Sequence, residues 1–239
     1  MQNLVPSALV GYWSFNEASG TQAADSSGNG DTATLNSGAA WGTGILSSSS
    51  LSLSGTSGSA TVADSAALRV SGDFTIGLWV KHTALPGTNG WMYYAEKGLN
   101  NQENYGFGAY NDGTGTRLFF EFVDSTGASR YFTQGTGATL TAGMWAHVTA
   151  VFDHTHGQLT FYINGQPASS IAVSQSLAAT TNPLLIGQQN IGGYEFYMKG
   201  LLDELRIYSR ALAASEVSAL ANVNKPAAPT GLKVLVLNP

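Results

Sequence analysis

Short runs of β-branched and aromatic residues, broken every few positions by glycine, asparagine, aspartate or serine, are what most constrain this chain. In LTFYING, Leu159, Phe161 and Ile163 fall on one side of an extended backbone, with Thr160 and Tyr162 on the other, because side chains alternate along a strand. The Asn164-Gly165 that follows accepts positive φ at both positions and reads as a hairpin turn. Asp112-Gly113 reads the same way between Tyr110 and Arg117. Strand-like runs recur near 9–15, 50–53, 60–62, 74–81, 92–97, 105–110, 117–123, 129–133, 145–153, 159–163, 184–187 and 201–208. About twelve short strands with almost no helix predict an all-β chain, a two-sheet antiparallel β-sandwich. One short C-terminal helix is expected at residues 213–220, AASEVSAL.

The 239 residues suit one such sandwich, so 1–222 reads as a single domain. Residues 223–239 carry Pro226 and Pro229 and read as an extended linker. Charged residues make up only 10% of the chain and the net charge is −5, with no basic block. That pattern suggests no nucleic acid and no anionic membrane face as partner. The apolar runs are too short to span a bilayer. Cysteine is absent, which removes thiolate zinc sites, disulfides and cysteine nucleophiles together. Abundant Gly, Ser and Thr with scarce Lys fit a secreted or cell-surface protein.

Hydrolysis of a glycosidic bond needs two carboxyl groups about 5–9 Å apart. No strand offers alternating acids. Glu121 and Asp124 are three apart and point to opposite faces, and Asp203-Glu204 are adjacent, so the chain is expected not to be an enzyme. A lyase using a tyrosine base is the surviving catalytic rival. His154 and His156 fall in an expected hairpin loop, and His147 shares a face with Trp145 in WAHVTAVFD, so all three read as structural or solvated. Tyr105-Gly106-Phe107-Gly108 has glycine spacing that invites a nucleotide reading, but no helix follows and the reading fails.

Two segments at the ends of the chain belong together. GYWSFNEASGTQAADSSGNGDTATL resembles the opening segment of the laminin-G-like, concanavalin A-like jelly-roll domains, and KGLLDELRIYSRALAASEV resembles their closing strand and helix. Between them FTIGLWVK, WAHVTAVFD and LTFYINGQP keep the family's order. The resemblance implies a sandwich that commonly binds glycans and often holds a structural calcium ion, although the family also includes adhesive and architectural members. The tail PTGLKVLVLNP resembles the first strand of a fibronectin type III domain, which implies that the module is tethered to other domains of a longer chain.

The Thr21–Leu35 segment, TQAADSSGNGDTATL, sets Asp25, Asn29 and Asp31 among glycines and serines. Calcium takes six to eight oxygens from such groups. Successive turns with side-chain-to-backbone hydrogen bonds use the same residues, and composition alone favours turns. The resemblance adds the Leu-Asp-Glu of the last strand and implies Ca²⁺ held by Asp25, Asn29 and Asp203, with Asp31 and Glu17 nearby. A glycan partner would need aromatic faces for its C–H surfaces and amides for its hydroxyls. Trp91, Tyr105, Gln188, Gln189, Asn190 and Tyr194 are the expected ligand contacts. Asn104 also belongs to a polar loop that could serve, and residues 188–197 are expected to form a loop that exposes Tyr194. Trp79, Trp145, Phe152 and Phe161 are expected in the core. The expected function is a non-catalytic carbohydrate-binding module, with an adhesive or spacer domain as the alternative.

Overall fold

The computed structural model describes residues 8–45, 49–99, 102–191 and 194–223; the linker and fibronectin-like tail of the sequence reading lie outside the described residues. The strands are β1 (Leu9–Trp13), β2 (Gln22–Ala23), β3 (Ala33–Leu35), β4 (Ala39–Thr43), β5 (Ser49–Ser54), β6 (Ala60–Val62), β7 (Phe74–His82), β8 (Trp91–Lys97) and β9 (Tyr105–Asn111). They continue as β10 (Thr116–Val123), β11 (Ser129–Thr133), β12 (Trp145–Asp153), β13 (Gln158–Ile163), β14 (Gln166–Ala172), β15 (Leu184–Ile186), β16 (Gln188–Ile191), β17 (Tyr194–Tyr197) and β18 (Lys199–Tyr208). One α-helix, α1 (Ala214–Val223), closes the domain.

Two antiparallel sheets stack face to face. Sheet A runs β14-β13-β12-β7-β18-β5-β4, with β1 also on β18, and sheet B runs β11-β10-β9-β8-β15-β6-β3-β2. The expected β-sandwich is therefore present. The sequence reading missed β2, β3, β4 and β14, which are short or carry small and polar residues, as in AAWGT and QPASSIA. Neighbouring strands specify these, not their own composition. Asn164 and Gly165 do take positive φ at the β13–β14 turn.

Alternation sorts the sheets as expected. Leu159 and Phe161 enter the core between the sheets, while Tyr162 joins Val151 and Tyr208 under Val217 and Leu220 of α1 on the far side of sheet A. Trp79, Phe152 and Phe161 are buried, but Trp145 at the start of β12 is only half-buried. His147 is buried edge-on to Trp79, with ring centroids 5.4 Å apart, as a structural histidine should be. The helix start is tied by Glu216, which accepts from the Ala213 N–H and from both terminal nitrogens of Arg210.

Asn104 is not a ligand contact. It is buried, its Oδ1 accepts from Val70 N–H at 3.0 Å, and its Nδ2 donates to Val70 O at 2.7 Å and to Ala178 O at 2.8 Å. Removing the amide strands a buried donor and two acceptors, each costing about 1–3 kcal/mol before partial compensation. Asn104→Ala should therefore lower unfolding stability by about 2–4 kcal/mol in urea titration. A loss below about 0.5 kcal/mol would show that this amide is not a structural staple.

Candidate functional site

Sheet B has one face on the core and one turned outward. On β9 and β10 the core takes Tyr105, Phe107, Ala109, Leu118, Phe120 and Phe122, so strand alternation sends Gly106, Gly108, Tyr110, Arg117, Phe119 and Glu121 outward. The register then lays out rows. Trp91 lies across from Tyr110, Tyr93 across from Gly108 and on to Phe119, and Glu96 across from Gly106 and on to Glu121.

Gly106 and Gly108 are what let this face pack. A Cβ at Gly108 would stand 2.6 Å from the Phe119 ring, and one at Gly106 would stand 2.9 Å from Glu121 Cγ. Each missing side chain is replaced by a neighbour lying flat over the strand. The result is a continuous aromatic surface: Trp91 stacks on Tyr110 with centroids 4.0 Å apart and meets Phe119 at 5.0 Å and Tyr131 at 4.8 Å, both edge-on. Phe119 meets Tyr93 at 4.8 Å. Tyr131 is 42% exposed, and Trp91 and Tyr110 are partly so. The Tyr110 hydroxyl donates to Asn89 Oδ1 at 3.1 Å.

Beside this platform sits the β16–β17 hairpin, a two-stranded sheet separate from the other two. Where the sequence reading expected a loop, Gln188 to Ile191 pair in register with Tyr197 to Tyr194 as two antiparallel strands. Phe196 lies 6.1 Å from Tyr93. Gln189 is buried, and its Nε2 donates to Glu121 Oε1 at 2.7 Å. Glu195, exposed at the rim, accepts from the Tyr197 hydroxyl at 2.7 Å, Gln188 Nε2 at 3.3 Å and Asn190 Nδ2 at 3.4 Å.

Under the hairpin the carboxyls are crowded. Burial raises the Glu121 pKa to about 7, helped by the nearby Glu103 charge and partly offset by hydrogen bonds from Tyr93 and Gln189. Burial, then the charges of Glu121 and Glu103, raise Glu96 to about 10. Neither Glu96 oxygen makes a hydrogen bond of ordinary geometry, although the Gln189 amide and Asn190 N–H lie close enough to favour its ionised form slightly. Glu96 is wholly buried and does not meet a ligand in this conformation, whereas Glu121 keeps partial exposure at the edge of the face.

Of the residues expected to contact a ligand, Trp91 lies on the aromatic face and Gln189 packs onto Glu121 beside it, while Gln188 and Asn190 turn to Glu195 on the hairpin. Tyr105 is a correction: it is fully buried in the core, its ring tilted against that of Phe74 with centroids 4.5 Å apart, because alternation turns it away from Gly106. Tyr194 is placed in β17 by its backbone, and its side chain lies outside what is described. Sequence reasoning missed Tyr93, Tyr110, Phe119, Tyr131, Phe196, Glu96 and Glu121. The glycines at alternate positions in YGFG were the available signal, since they mark the bare face of a strand.

The expected metal ligands do not converge. Among the described residues no group of three or more His, Cys, Asp and Glu side chains is placed to share an ion. Asp25 is filled by protein donors: Oδ1 accepts from Tyr12 N–H at 3.0 Å and Ser27 N–H at 2.8 Å, and Oδ2 from the Ser27 hydroxyl at 2.7 Å and Asp31 N–H at 3.2 Å. Burial works to raise its pKa, but these bonds outweigh that and hold it below the usual range. Asn29 turns its Nδ2 inward to Val10 O at 3.1 Å. The loop is therefore built of turns, and Asp25 does not fit a cation. Asp203 differs: Oδ2 accepts from Ile45 N–H at 3.0 Å, while Oδ1 is buried with no partner among the described residues. Burial raises Asp203 to about 7.

Glu96 and Glu121 bind protons more tightly in the folded chain than in the unfolded one. Their contribution is full below the ordinary value of 4.5 and is lost as pH rises through about 7 for Glu121 and about 10 for Glu96. Asp64 and Glu216, held low by hydrogen bonds from Arg69 and Arg210, act in the opposite sense and only at more acid pH. Unfolding stability should fall between about pH 5.5 and 8.5, and Glu121→Gln should flatten that fall by about 1–3 kcal/mol in chemical denaturation. Parallel curves for the variant and the wild type would contradict this assignment.

The model of the concanavalin A-like lectin/glucanases superfamily matches residues 54–218. Among curated proteins, the chain is 26% identical over 157 residues to adhesion G-protein coupled receptor V1 of Danio rerio; the match takes in 64% of this chain but only 2% of the receptor. Among solved structures, the binding domain of Paraclostridial Mosquitocidal Protein 1 superposes with a TM-score of 0.70 at 21% identity, over 92% of this chain and 53% of that one. Domain 4 of AbnA, a GH43 extracellular arabinanase from Geobacillus stearothermophilus solved with arabinotriose, superposes with a TM-score of 0.66 at 24% identity, over 90% of this chain and 98% of that one. The family match spans well over half the chain, and the two-sheet fold agrees with it. This chain belongs to the concanavalin A-like lectin/glucanases superfamily.

Proposed function

We propose that this chain is a non-catalytic carbohydrate-binding module of an extracellular, multidomain protein. The observation that carries the reading is the partly exposed aromatic platform of Trp91, Tyr110 and Tyr131, with the Asn89 amide hydrogen-bonded at its edge. Flat rings take the C–H faces of sugars, and fixed amides and carboxylates take their hydroxyls, which is how a largely pre-formed site orients a polar ligand. The AbnA domain, of which this chain covers 98%, was solved with arabinotriose, and that likeness supports the same use of the fold. The adhesion receptor supports the adhesive alternative, in which the same face meets protein.

Titration calorimetry against soluble arabinan, galactan, xyloglucan and dextran tests the reading. Tyr131→Ala, at an exposed edge position, should leave folding intact and weaken binding of whichever glycan responds by about tenfold, the effect of about 1.4 kcal/mol at an aromatic contact. Undiminished binding in that variant, or binding by none of the glycans, would overturn the reading.

We further propose that a structural calcium ion, implied by the family, is held at Asp203 and not in the 25–31 loop, since Asp203 Oδ1 is buried without a donor among the described residues whereas both Asp25 oxygens are filled. Saturating calcium should then raise stability by about 3–4 kcal/mol, and Asp203→Asn should abolish the calcium shift in melting temperature while Asp25→Asn keeps it. Equal shifts in wild type and Asp203→Asn would remove calcium from this position.

A further inference from the structure

The charges around the platform are one-sided, and they identify the class of glycan it can take. Glu121 lies over Gly106 at the edge of the aromatic surface, with Glu96 across the same glycine and Glu103 close enough to interact with both. Glu195 stands exposed on the hairpin rim, and Asp112 closes the β9–β10 end. Gln189, buried between Glu121 and Glu96, spends its N–H on Glu121 and leaves its Oε1 without a partner. Glu96 and Gln189 are covered, so the acceptors that this edge offers a ligand are the partly exposed Glu121 and the rim carboxylate Glu195.

Cations do not correct the balance. Among the described residues of β8 to β11, Arg117 is the one cation that alternation turns to this face. It is paired with Asp112 and bonded to Thr114 Oγ1 at 3.0 Å. Lys97, at the far end of β8, is wholly buried, with Nζ donating to Asp64 at 2.6 Å and to the carbonyls of Thr180 and Asn182. Arg130 lies on the opposite side of β11 and is tied to Asp124 at 2.6 Å. A carboxylate or sulfate laid along the platform would meet Glu121 and Glu195 with no free guanidinium or ammonium to receive it. Recognition of such groups ordinarily uses paired guanidinium donors, and like charges brought together at an interface penalise the wrong ligand.

We infer that this face selects uncharged glycans, whose hydroxyls donate to its carboxylates and amide oxygens, and rejects uronate-bearing and sulfated ones. The inference rests on the proposed carbohydrate-binding reading and deepens it: the rings supply affinity, and the acidic rim decides which polymer may lie there.

The test compares polymers sharing a backbone but differing in charge: hydroxyethylcellulose with carboxymethylcellulose, methyl-esterified pectin with polygalacturonate, and dextran with dextran sulfate. Affinity electrophoresis at low ionic strength should retard the chain about tenfold more strongly, in apparent affinity, on at least one neutral polymer than on its charged counterpart. The ratio should shrink in about 0.5 M NaCl, where screening acts over a few ångströms. Glu195→Lys reverses the rim charge at an exposed position, so it should raise apparent affinity for the charged counterpart relative to the neutral one by about tenfold. Equal or tighter binding of the charged polymer by the wild type, or no gain in Glu195→Lys, overturns the selectivity with glycan binding intact. Retention on none of the six polymers overturns the carbohydrate-binding reading, and the selectivity falls with it.

Discussion

Strand β18 is the piece on which the rest of the domain depends. It pairs with β7 along one edge, and along the other with β5 through Lys199–Leu202 and then with β1 through Leu205–Tyr208. One ten-residue strand thus ties the first strand of the described chain to the last and gives sheet A its centre. The change of partner falls at Asp203 and Glu204, where the register against β7 slips and Glu204 takes a positive φ of 57°. A bulge here leaves Asp203 buried and aimed at the backbone of Ile45. Its Oδ1, buried with no donor among the described residues, is a by-product of that seam, which is why a stabilising cation is proposed there.

The outer face of sheet B depends on an opposite device, the absence of side chains. Gly106 and Gly108 leave gaps in the centre of the sheet, and Glu121 and Phe119 fill them from the next strand. Phe119 then supports Trp91, Tyr93 and Tyr131 as one surface. Glu121 is drawn toward Glu96, and the two carboxyls are covered by Gln189. The same two glycines therefore set the aromatic platform and the acidity of its edge. Glu96 and Glu121 stand on β8 and β10, on either side of β9; Glu96 is wholly buried and Glu121 accepts the Gln189 amide of the hairpin.

Much of the fold was legible because its information is local. Alternating runs such as LTFYI, turn pairs such as Asn164-Gly165 and the helix-forming AASEVSAL each specify their own element, and Tyr162 faced α1 as its parity required. The strands that were missed, β2, β3, β4 and β14, are short or polar and form because a neighbour offers a ladder of hydrogen bonds. The site was legible only in fragments. Trp91 lies on the outer face of sheet B, whereas Tyr105 was misassigned because the alternating glycines of YGFG, which mark the outer face, were not read as a parity signal.

By itself the sequence determined the all-β class, the order of the main strands, the terminal helix and the absence of any thiol or basic-patch chemistry, since each follows from residue type and spacing. Only the tertiary structure decided which aromatics share a surface, that Glu96 and Glu121 lie across one glycine, that Asp25 is satisfied by its own loop, and that Asp203 is left with a free oxygen. Apart from the Asp25 loop, those are relations between segments separated by 15 to 158 positions in the chain. The physical reason is that hydrogen-bond register, which no single segment encodes, sets which side chains stand opposite one another.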